Sequence, residues 1–480
     1  MHPGPYIYDK FGNLVFDGYG VLGSANAHNF HVCSYNGSDH LCFNQMNQQL
    51  GYGVGQGLIV DDNYRVVKQI NIGSSAGNVD MHEFQLVNGG ESALLSSYQA
   101  IPYDLSAFNI TSGLGWLLQG VFQEVNVTTG EVVFEWFSSN HVDPSETDIT
   151  PNTTDVSGTG FMPSTAFDYF HINAIDKSTQ SGNYLVSARH ISTVYYINAT
   201  DGNIVWRLSH FGQSDFDVKG FNFSFQHDAR LVSENSTTTV ISIFDNASNG
   251  YNNSNTQSSG MLISIDHPSK TATLVEQWHM PRKGGVLSSS QGNTQLLPDG
   301  GAFIGWGNWA YATEFNASGD AVWHVQFASS STMNYRAFSF NWTSTPSTTV
   351  PDVYSYASNN NNASNHVYVS WNGATTVSRW NFYGAQSPTT DSVTLVGSAD
   401  KAGFETQWTS SKYYSWWMVE AVAADGTALR NSSFRRTFIP GQALLASACD
   451  DMGCQAASSY GEKALLSGNP VVRSSSLTAQ

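Results

Sequence analysis

The chain has 480 residues and a formal net charge of −18 at pH 7, from 20 Lys and Arg against 38 Asp and Glu. This balance excludes a nucleic-acid partner, because phosphate binding needs clustered basic side chains and the sequence has none. Charged residues make up 12% and aromatic residues 13% of the chain, which favours many short strands joined by polar turns. No apolar run is long enough to span a bilayer, so we expect no transmembrane segment.

The cysteines form two close pairs, Cys33 with Cys42 and Cys449 with Cys454. Their spacing is not that of a zinc ribbon, and two local disulfides in an oxidising compartment are the simplest interpretation, with four free thiols as the alternative. Thirteen Asn-x-Ser/Thr sequons, from Asn36 to Asn431, agree with a secreted glycoprotein. No hydrophobic signal segment precedes Tyr6, so we expect a secretory protein whose signal peptide is absent from this chain.

A hairpin pattern recurs along the first two thirds of the chain. It consists of a strand, a polar Gly turn and a second strand that ends in an aromatic residue, and it occurs at 12–16, 130–134, 202–206 and 319–323. Such recurrence predicts a β-propeller, with six blades in about 340 residues. A large β-sandwich with accidentally similar hairpins is the alternative.

Three strand-like segments each open with a histidine, at His82, His171 and His227. If each begins the innermost strand of a blade, the three imidazoles point into one central channel. A lone histidine in a β protein is usually structural, but three at equivalent positions favour a common site.

Cationic side chains follow two of these histidines. Arg189 and His190 fall on the strand after His171, and only one of them is expected to face the channel, because neighbours on a strand point to opposite faces. Arg230 follows His227 and is either an anion clamp or a structural ion-pair partner.

The pattern changes after residue 345. A Ser/Thr/Pro-rich stretch at 343–350 is followed by segments that alternate at period two, at 367–373, 377–382 and 416–422. They predict a small fibronectin- or immunoglobulin-like sandwich. We therefore expect a propeller over 1–345, a sandwich over 346–440 and a C-terminal tail over 441–480 that a Cys449–Cys454 disulfide closes.

Several segments resemble the arylsulfotransferase (ASST) family, its fungal branch above all. They occur in the family's order and include 80–86, 168–173, 187–193, 225–230 and 292–298. The resemblance implies a six-bladed propeller that transfers a sulfuryl group from a phenolic sulfate ester to a phenol acceptor, without a nucleotide sulfate donor. It also implies a channel histidine that carries the group, beside histidines and an arginine that bind sulfate, and His171 and His227 match that set.

Histidine suits this chemistry, because a neutral imidazole can attack sulfur and a protonated one can donate to the leaving phenolate. Glu83 and Asp228 could orient the imidazoles or merely bond between blades. We expect a monomer with no metal and no cofactor, in which the catalytic residues are His171, His227 and His82 and the substrate-binding residues are Arg189, His190 and Arg230.

Two other functions remain open. One is a catalytically inactive secreted propeller that binds a small ligand or a glycan, since fold alone does not fix function. The other is a metal- or quinone-dependent oxidoreductase, which is disfavoured because no His-x-His pair, zinc-type spacing or cofactor motif is visible.

Overall fold

The computed structural model describes residues 2–23, 26–73, 75–111, 113–327, 332–361 and 363–441. The fold is all-β, as the composition predicts, with 47% strand and 5% helix. Within the described residues the chain forms two compact units. The first comprises residues 2–5, 23–61 and 65–341, and the second comprises residues 6–22, 62–64 and the chain from 342 onward.

The strands in chain order are β1 (Tyr6–Tyr8), β2 (Leu14–Asp17), β3 (Asn26–Tyr35), β4 (Ser38–Gln48), β5 (Gly53–Val60), β6 (Val66–Ile70), β7 (Phe84–Val87), β8 (Ser92–Tyr103), β9 (Gly115–Asn126), β10 (Val132–Phe137), β11 (Ile172–Lys177), β12 (Tyr184–Ala188), β13 (Thr193–Ile197), β14 (Ile204–Ser209), β15 (Asp217–Lys219), β16 (His227–Glu234), β17 (Thr238–Asp245), β18 (Ser259–Asp266), β19 (Thr271–His279), β20 (Asn293–Leu296), β21 (Ala302–Gly305), β22 (Tyr311–Phe315), β23 (Ala321–Gln326), β24 (Asp352–Tyr356), β25 (Asn365–Ser370), β26 (Val377–Ala385), β27 (Thr394–Asp400), β28 (Glu405–Ser410), β29 (Trp416–Ala423), β30 (Ala428–Asn431) and β31 (Arg435–Arg436). Single turns of 3-10 helix lie at Asn88–Gly90, Ser106–Phe108, Ser138–Asn140, Pro144–Glu146, Pro163–Thr165, Arg189–Ile191 and Thr390–Ser392.

Five sheets follow one another along the described part of the first unit: β3–β6, β7–β10, β11–β14, β15–β19 and β20–β23. Each is an antiparallel meander, the strand order of a propeller blade, and in the fourth sheet β15 adds in parallel beside β19. The expected number of six is not confirmed. The described residues between β23 and the end of this unit contain no strand that would begin a sixth sheet.

Glycines at left-handed φ form the turns that the hairpin pattern predicts. Gly130, Gly202 and Gly319 have φ between 73° and 79° and connect the third strand of a sheet to its outer strand. A side chain at this φ is strained, which is why glycine recurs there. The fourth copy, at Gly12, connects β1 to β2 and belongs to the second unit.

Side chains join the first strands of neighbouring sheets in the first unit. Gln85 on β7 donates to Asp176 on β11 (3.2 Å), and Arg230 on β16 donates to the Ile175 carbonyl on β11 (3.0 Å). These bonds bring the beginnings of β7, β11 and β16 side by side. The histidines that precede or open those strands are therefore held close to one another.

The second unit has its own core. Its larger sheets have the strand orders β24-β25-β28 and β27-β26-β29-β30, with β31 beside β29. Buried residues from both sheets, Val367, Trp380 and Trp417 among them, form one apolar cluster. The fibronectin- or immunoglobulin-like assignment is not confirmed, and the boundaries at 345 and 440 remain predictions. Cys449 and Cys454 lie outside the described residues.

The structure bears on two further expectations, the Cys33–Cys42 disulfide and the absence of a transmembrane segment. Cys33 and Cys42 form a disulfide between β3 and β4. No helix in the described ranges is long and apolar enough to cross a membrane.

The sequon at Asn246 has a structural role instead of a surface one. The Asn246 side chain is fully buried and therefore cannot accept a glycan in the folded protein.

Candidate active site

The site lies where the first strands begin, and the backbone there is bulged. Register shifts occur early in β3, β11 and β16. At or beside these shifts, Asn29, His171 and Asp228 have φ of 57°, 53° and 55°. Bulges of this kind redirect side chains and are frequent beside active sites. They turn histidine side chains of several sheets toward one region.

Two of the predicted histidines form matched pairs with carboxylates. His171 Nδ1 donates to Asp168 Oδ2 (2.5 Å), and His82 Nδ1 donates to Asp80 Oδ2 (2.6 Å). The two imidazole rings lie 4.8 Å apart, centre to centre. Among the described residues no group hydrogen-bonds to either Nε2 atom, so both pairs present an unused ring nitrogen.

Arg189 and His190 both reach the site, and the expectation that only one would do so is wrong. β12 ends at Ala188, and the two residues lie in the 3-10 turn that follows, where strand alternation no longer applies. His190 Nδ1 donates to the Asp168 carbonyl (2.6 Å), and Arg189 Nη1 donates to His190 Nε2 (2.6 Å). The His190 ring lies 4.5 Å from that of His171.

Arg189 is a buried cation without a carboxylate partner in the described part of the chain. Its other donor, Nη2, bonds to the Ser289 carbonyl (2.9 Å), and its Nε has no partner there. Burial lowers the pKa of this guanidinium to about 10. A buried positive charge with an unused donor is costly unless an anion binds to it, so Arg189 suits a sulfate group, whereas both ring nitrogens of His190 are already bonded.

His227 is held differently from the other two predicted histidines. Its Nδ1 donates to Asn246 Oδ1 (2.7 Å), and its Nε2 accepts the Gln291 backbone N–H (3.1 Å). Asn246 is itself fixed by donating to the Ser288 and Gln291 carbonyls. Since both ring nitrogens are occupied, His227 is less suited to attack a substrate than His171 or His82.

Arg230 is an ion-pair partner in this structure. Its Nη2 lies 2.7 Å from both Glu83 Oε2 and Asp228 Oδ1. The two carboxylates that could orient imidazoles thus bind arginine instead. The orienting carboxylates, Asp80 and Asp168, precede their histidines by two and three residues, a spacing that is visible in the sequence.

Aromatic side chains border the histidines, and they were not singled out from the sequence. The Tyr98 ring lies 5.7 Å from His82 and 5.9 Å from His171, and Tyr52 stacks on Tyr98. Tyr335 donates its hydroxyl to the His82 carbonyl (3.0 Å). Stacked rings of this kind form an apolar wall that suits a phenyl group.

The two carboxylates have opposite pKa shifts although each binds a histidine. Burial raises the pKa of Asp168 to about 6. Burial also acts on Asp80, but the His82 charge and several hydrogen bonds outweigh it and lower the pKa of that carboxyl. Burial holds the pKa of His171 well below its ordinary value, so this imidazole is neutral near pH 7. Surroundings that move the pKa values of two such groups apart are typical of sites in which one group acts as an acid and the other as a base.

A metal could in principle bind at Asp168, His171 and His190, whose donor atoms lie within 4.8 Å of one another. The hydrogen bonds already made there speak against it. Both ring nitrogens of His190 are occupied, and the bond at Nε2 comes from a guanidinium. A cation would have to displace Arg189 and be repelled by its charge.

Comparison with known proteins identifies the family. The model of the arylsulfotransferase (ASST) family matches residues 33–328, more than half of the chain, and the protein therefore belongs to this family. The fungal branch is not confirmed. Membership supports an aryl sulfotransferase-like function. No curated protein matches the chain.

Solved structures give only distant likenesses. A protein of unknown function from Bacteroides caccae is 14% identical, with 69% of this chain and 92% of that chain covered and a TM-score of 0.37. A catalytically inactive virginiamycin B lyase from Staphylococcus aureus is 8% identical, with 65% and 73% covered and a TM-score of 0.34. The β-propeller domain of Cps50 (Swd1) from Myceliophteria thermophila is 11% identical, with 63% and 89% covered and a TM-score of 0.34. Scores this low carry no conclusion about this chain.

Proposed function

We propose that the protein is a secreted sulfotransferase that takes a sulfuryl group from a phenolic sulfate ester and passes it to a phenol, without a nucleotide donor. The observation that carries the proposal is the pair of carboxylate-bound imidazoles, 4.8 Å apart, beside the buried Arg189. The five sheets are then blades of a propeller, and their first strands present the site. The described part of 346–440 forms the second, sandwich-like domain.

His171 is the nucleophile in this mechanism. Its Nδ1–H is bound by Asp168, which leaves the lone pair on Nε2 for attack. Nε2 forms a bond to sulfur while the bond from sulfur to the phenolic oxygen breaks, and the sulfuryl group rests on the ring. The low pKa of His171 keeps this imidazole unprotonated, and Arg189, which is held by its bond to His190, stabilises the charge on the sulfuryl oxygens.

His82 is the proton donor and acceptor. Asp80 accepts Nδ1–H of His82 (2.6 Å), and its negative charge favours a proton on this ring during the transfer. Nε2–H of His82 gives its proton to the leaving phenolate, and in the second step the same nitrogen takes the proton of the acceptor phenol. The acceptor oxygen then attacks sulfur, the bond to His171 breaks, and both imidazoles return to their starting states.

Turnover of p-nitrophenyl sulfate tests the reaction. We expect nitrophenolate release that depends on an added phenol, and His171→Ala should lower it by roughly three orders of magnitude. A histidine of the second unit offers the matched control, because His366→Ala on β25 removes an equal side chain from a unit that contains none of the proposed catalytic residues. Intact-mass measurement after an alkaline quench should detect a sulfated wild-type protein. Acceptor-independent release would indicate hydrolysis of the ester instead of transfer, and no release with any phenol would favour the ligand-binding alternative.

The role of His82 is tested with two donors of different leaving-group strength. Phenyl sulfate leaves as a more basic phenolate than p-nitrophenyl sulfate and needs protonation more. His82→Gln should therefore slow transfer from phenyl sulfate at least about tenfold more than transfer from p-nitrophenyl sulfate. Equal losses with both donors would show that His82 is not the acid.

A further inference from the structure

One guanidinium contacts residues that lie on or immediately before the first strands of three sheets and the innermost long strand of a fourth. Arg336 Nη1 donates to Asn29 Oδ1 (2.8 Å) and lies 3.5 Å from Glu83 Oε1. Its Nη2 donates to the Asn173 carbonyl (2.8 Å), and its Nε lies 3.4 Å from Asp228 Oδ1. Asn29, Asn173 and Asp228 lie in the first, third and fourth sheets, and Glu83 immediately precedes the second.

Each of these partners lies one or two residues from a buried histidine in the chain. Asn29 follows His28, Glu83 follows His82 and Asp228 follows His227, while Asn173 comes two residues after His171. A shift of any partner therefore moves the histidine that is joined to it by one or two peptide units. The Arg336 side chain is fully buried, so solvent cannot substitute for its bonds.

Arg336 lies in a segment without a strand. This segment is fixed to the fifth sheet because Asn293 and Ala337 exchange two hydrogen bonds, of 2.9 and 2.7 Å. It is fixed to the first sheet through ring contact between Phe338 and His31. The family match ends at residue 328, so Arg336 is an element of the site that the match does not include.

The preceding residue contacts the histidines themselves. Besides its bond to the His82 carbonyl, the Tyr335 ring packs edge-on against His28 (4.9 Å) and His82 (6.1 Å). Tyr335 and Arg336 thus hold the same group of residues from adjacent positions. The planar guanidinium, with donors in several directions, is the side chain that can bond to separate strands at once.

We propose that Arg336 is a positioning residue that sets the distances among His28, His82, His171 and His227, and so brings His82 and His171 to bear on one substrate. This inference rests on the proposed sulfuryl transfer. Arg336 does not contact the reacting atoms. Its effect is expected in the rate of the chemical step, because misplacement of about 1 Å can cost roughly 100-fold.

The test replaces the Arg336 guanidinium, which donates in several directions, with the single ammonium group of lysine. Arg336→Lys should lower kcat for p-nitrophenyl sulfate by about 100-fold and change KM by less than about threefold, since Arg189 still binds the sulfate. Asn29→Ala, which removes one of the four contacts, should give a smaller loss of kcat with the same unchanged KM. It also keeps the proposal testable should Arg336→Lys fail to fold.

A destabilised control separates positioning from general loss of stability. Ile265 is fully buried in the fourth sheet and belongs to an apolar cluster that contains none of the site histidines. Ile265→Ala should lower the melting temperature as much as Arg336→Lys, or more, and leave kcat unchanged. Equal loss of kcat in both variants would overturn the positioning role.

A second readout does not depend on turnover. NMR spectra of the histidine ring protons, assigned with His82→Gln and His171→Gln, should show that Arg336→Lys changes the chemical shifts of both rings. A wild type with no turnover would defeat the proposed function, while the ring spectra would still report on positioning. Unchanged ring shifts and unchanged kcat in a folded Arg336→Lys protein would overturn the inference alone.

Discussion

The surroundings of Asp80 and Asp168, rather than the residue types, separate the roles of the two histidines. Asp80 accepts hydrogen bonds from the Gly53 and His82 backbone N–H groups and from the Ser96 hydroxyl, besides the bond from the His82 ring. Asp168 accepts one backbone N–H, that of His171, besides the ring. A carboxylate with more donors is held ionised, and one with fewer feels burial more strongly. The Asp–His pair therefore has a lowered carboxyl pKa at Asp80 and a raised one at Asp168.

The raised pKa of Asp168 predicts an acid limit to activity. Above about pH 6 the carboxylate is ionised and binds Nδ1–H of His171. Below that pH it gains a proton and loses its charge, and the imidazole is oriented less well. We expect kcat/KM to fall as the pH drops through about 6. In Asp168→Asn this acid limb of the pH profile, the fall of kcat/KM below about pH 6, should disappear. At higher pH the kcat/KM of this variant should be lower than that of wild type by roughly 10²- to 10⁴-fold.

The other carboxylate is the control for this pH profile. Because the pKa of Asp80 is lowered, Asp80→Asn should weaken activity and leave the limb near pH 6 in place. An unchanged limb in Asp168→Asn would assign the titration to a different group. The profile should be measured with p-nitrophenyl sulfate, whose leaving group needs little protonation.

At the scale of strands and turns, the sequence predicts the features that depend on local pattern. Alternating apolar residues and recurring Gly turns indicate the hairpins, and the histidine at the start of a strand indicates β11 and β16. The prediction that only one of Arg189 and His190 faces the site was wrong. A 3-10 turn, closed by Ser192 at a φ of 48°, replaces the expected strand. A turn of three residues leaves no periodic signal.

Contacts between distant segments account for what the sequence does not predict. Tyr335 and Arg336 occupy an irregular stretch, and the site residues that they bond to lie more than 100 residues away. Nothing in the local pattern around them differs from a polar loop. The same holds for His28, which lies beside a bulge in β3 and contacts the Tyr335 ring. Sequence patterns indicate site residues that begin regular strands. This site also contains Tyr335 and Arg336, which lie outside the strands of the described residues.

The net charge of the whole molecule and the charge of Arg189 in the site have opposite signs. The net charge of −18 repels an anionic aryl sulfate at long range, whereas Arg189 attracts it at short range from a buried position. Salt screens interactions between exposed charges beyond about 8 Å at physiological ionic strength and affects buried ones much less. Raising the salt concentration should therefore remove the repulsion and largely keep the attraction.

We expect kcat/KM for an aryl sulfate donor to rise by about two- to fivefold between low and physiological ionic strength. The KM of an uncharged phenol acceptor, measured at saturating donor, should stay constant over the same range, because a neutral molecule does not feel the field. Arg189→Gln should keep the salt dependence of wild type while its KM for the donor rises. A decrease of kcat/KM with salt would mean that an exposed basic surface attracts the donor, and the acidic surface would then have no part in its approach.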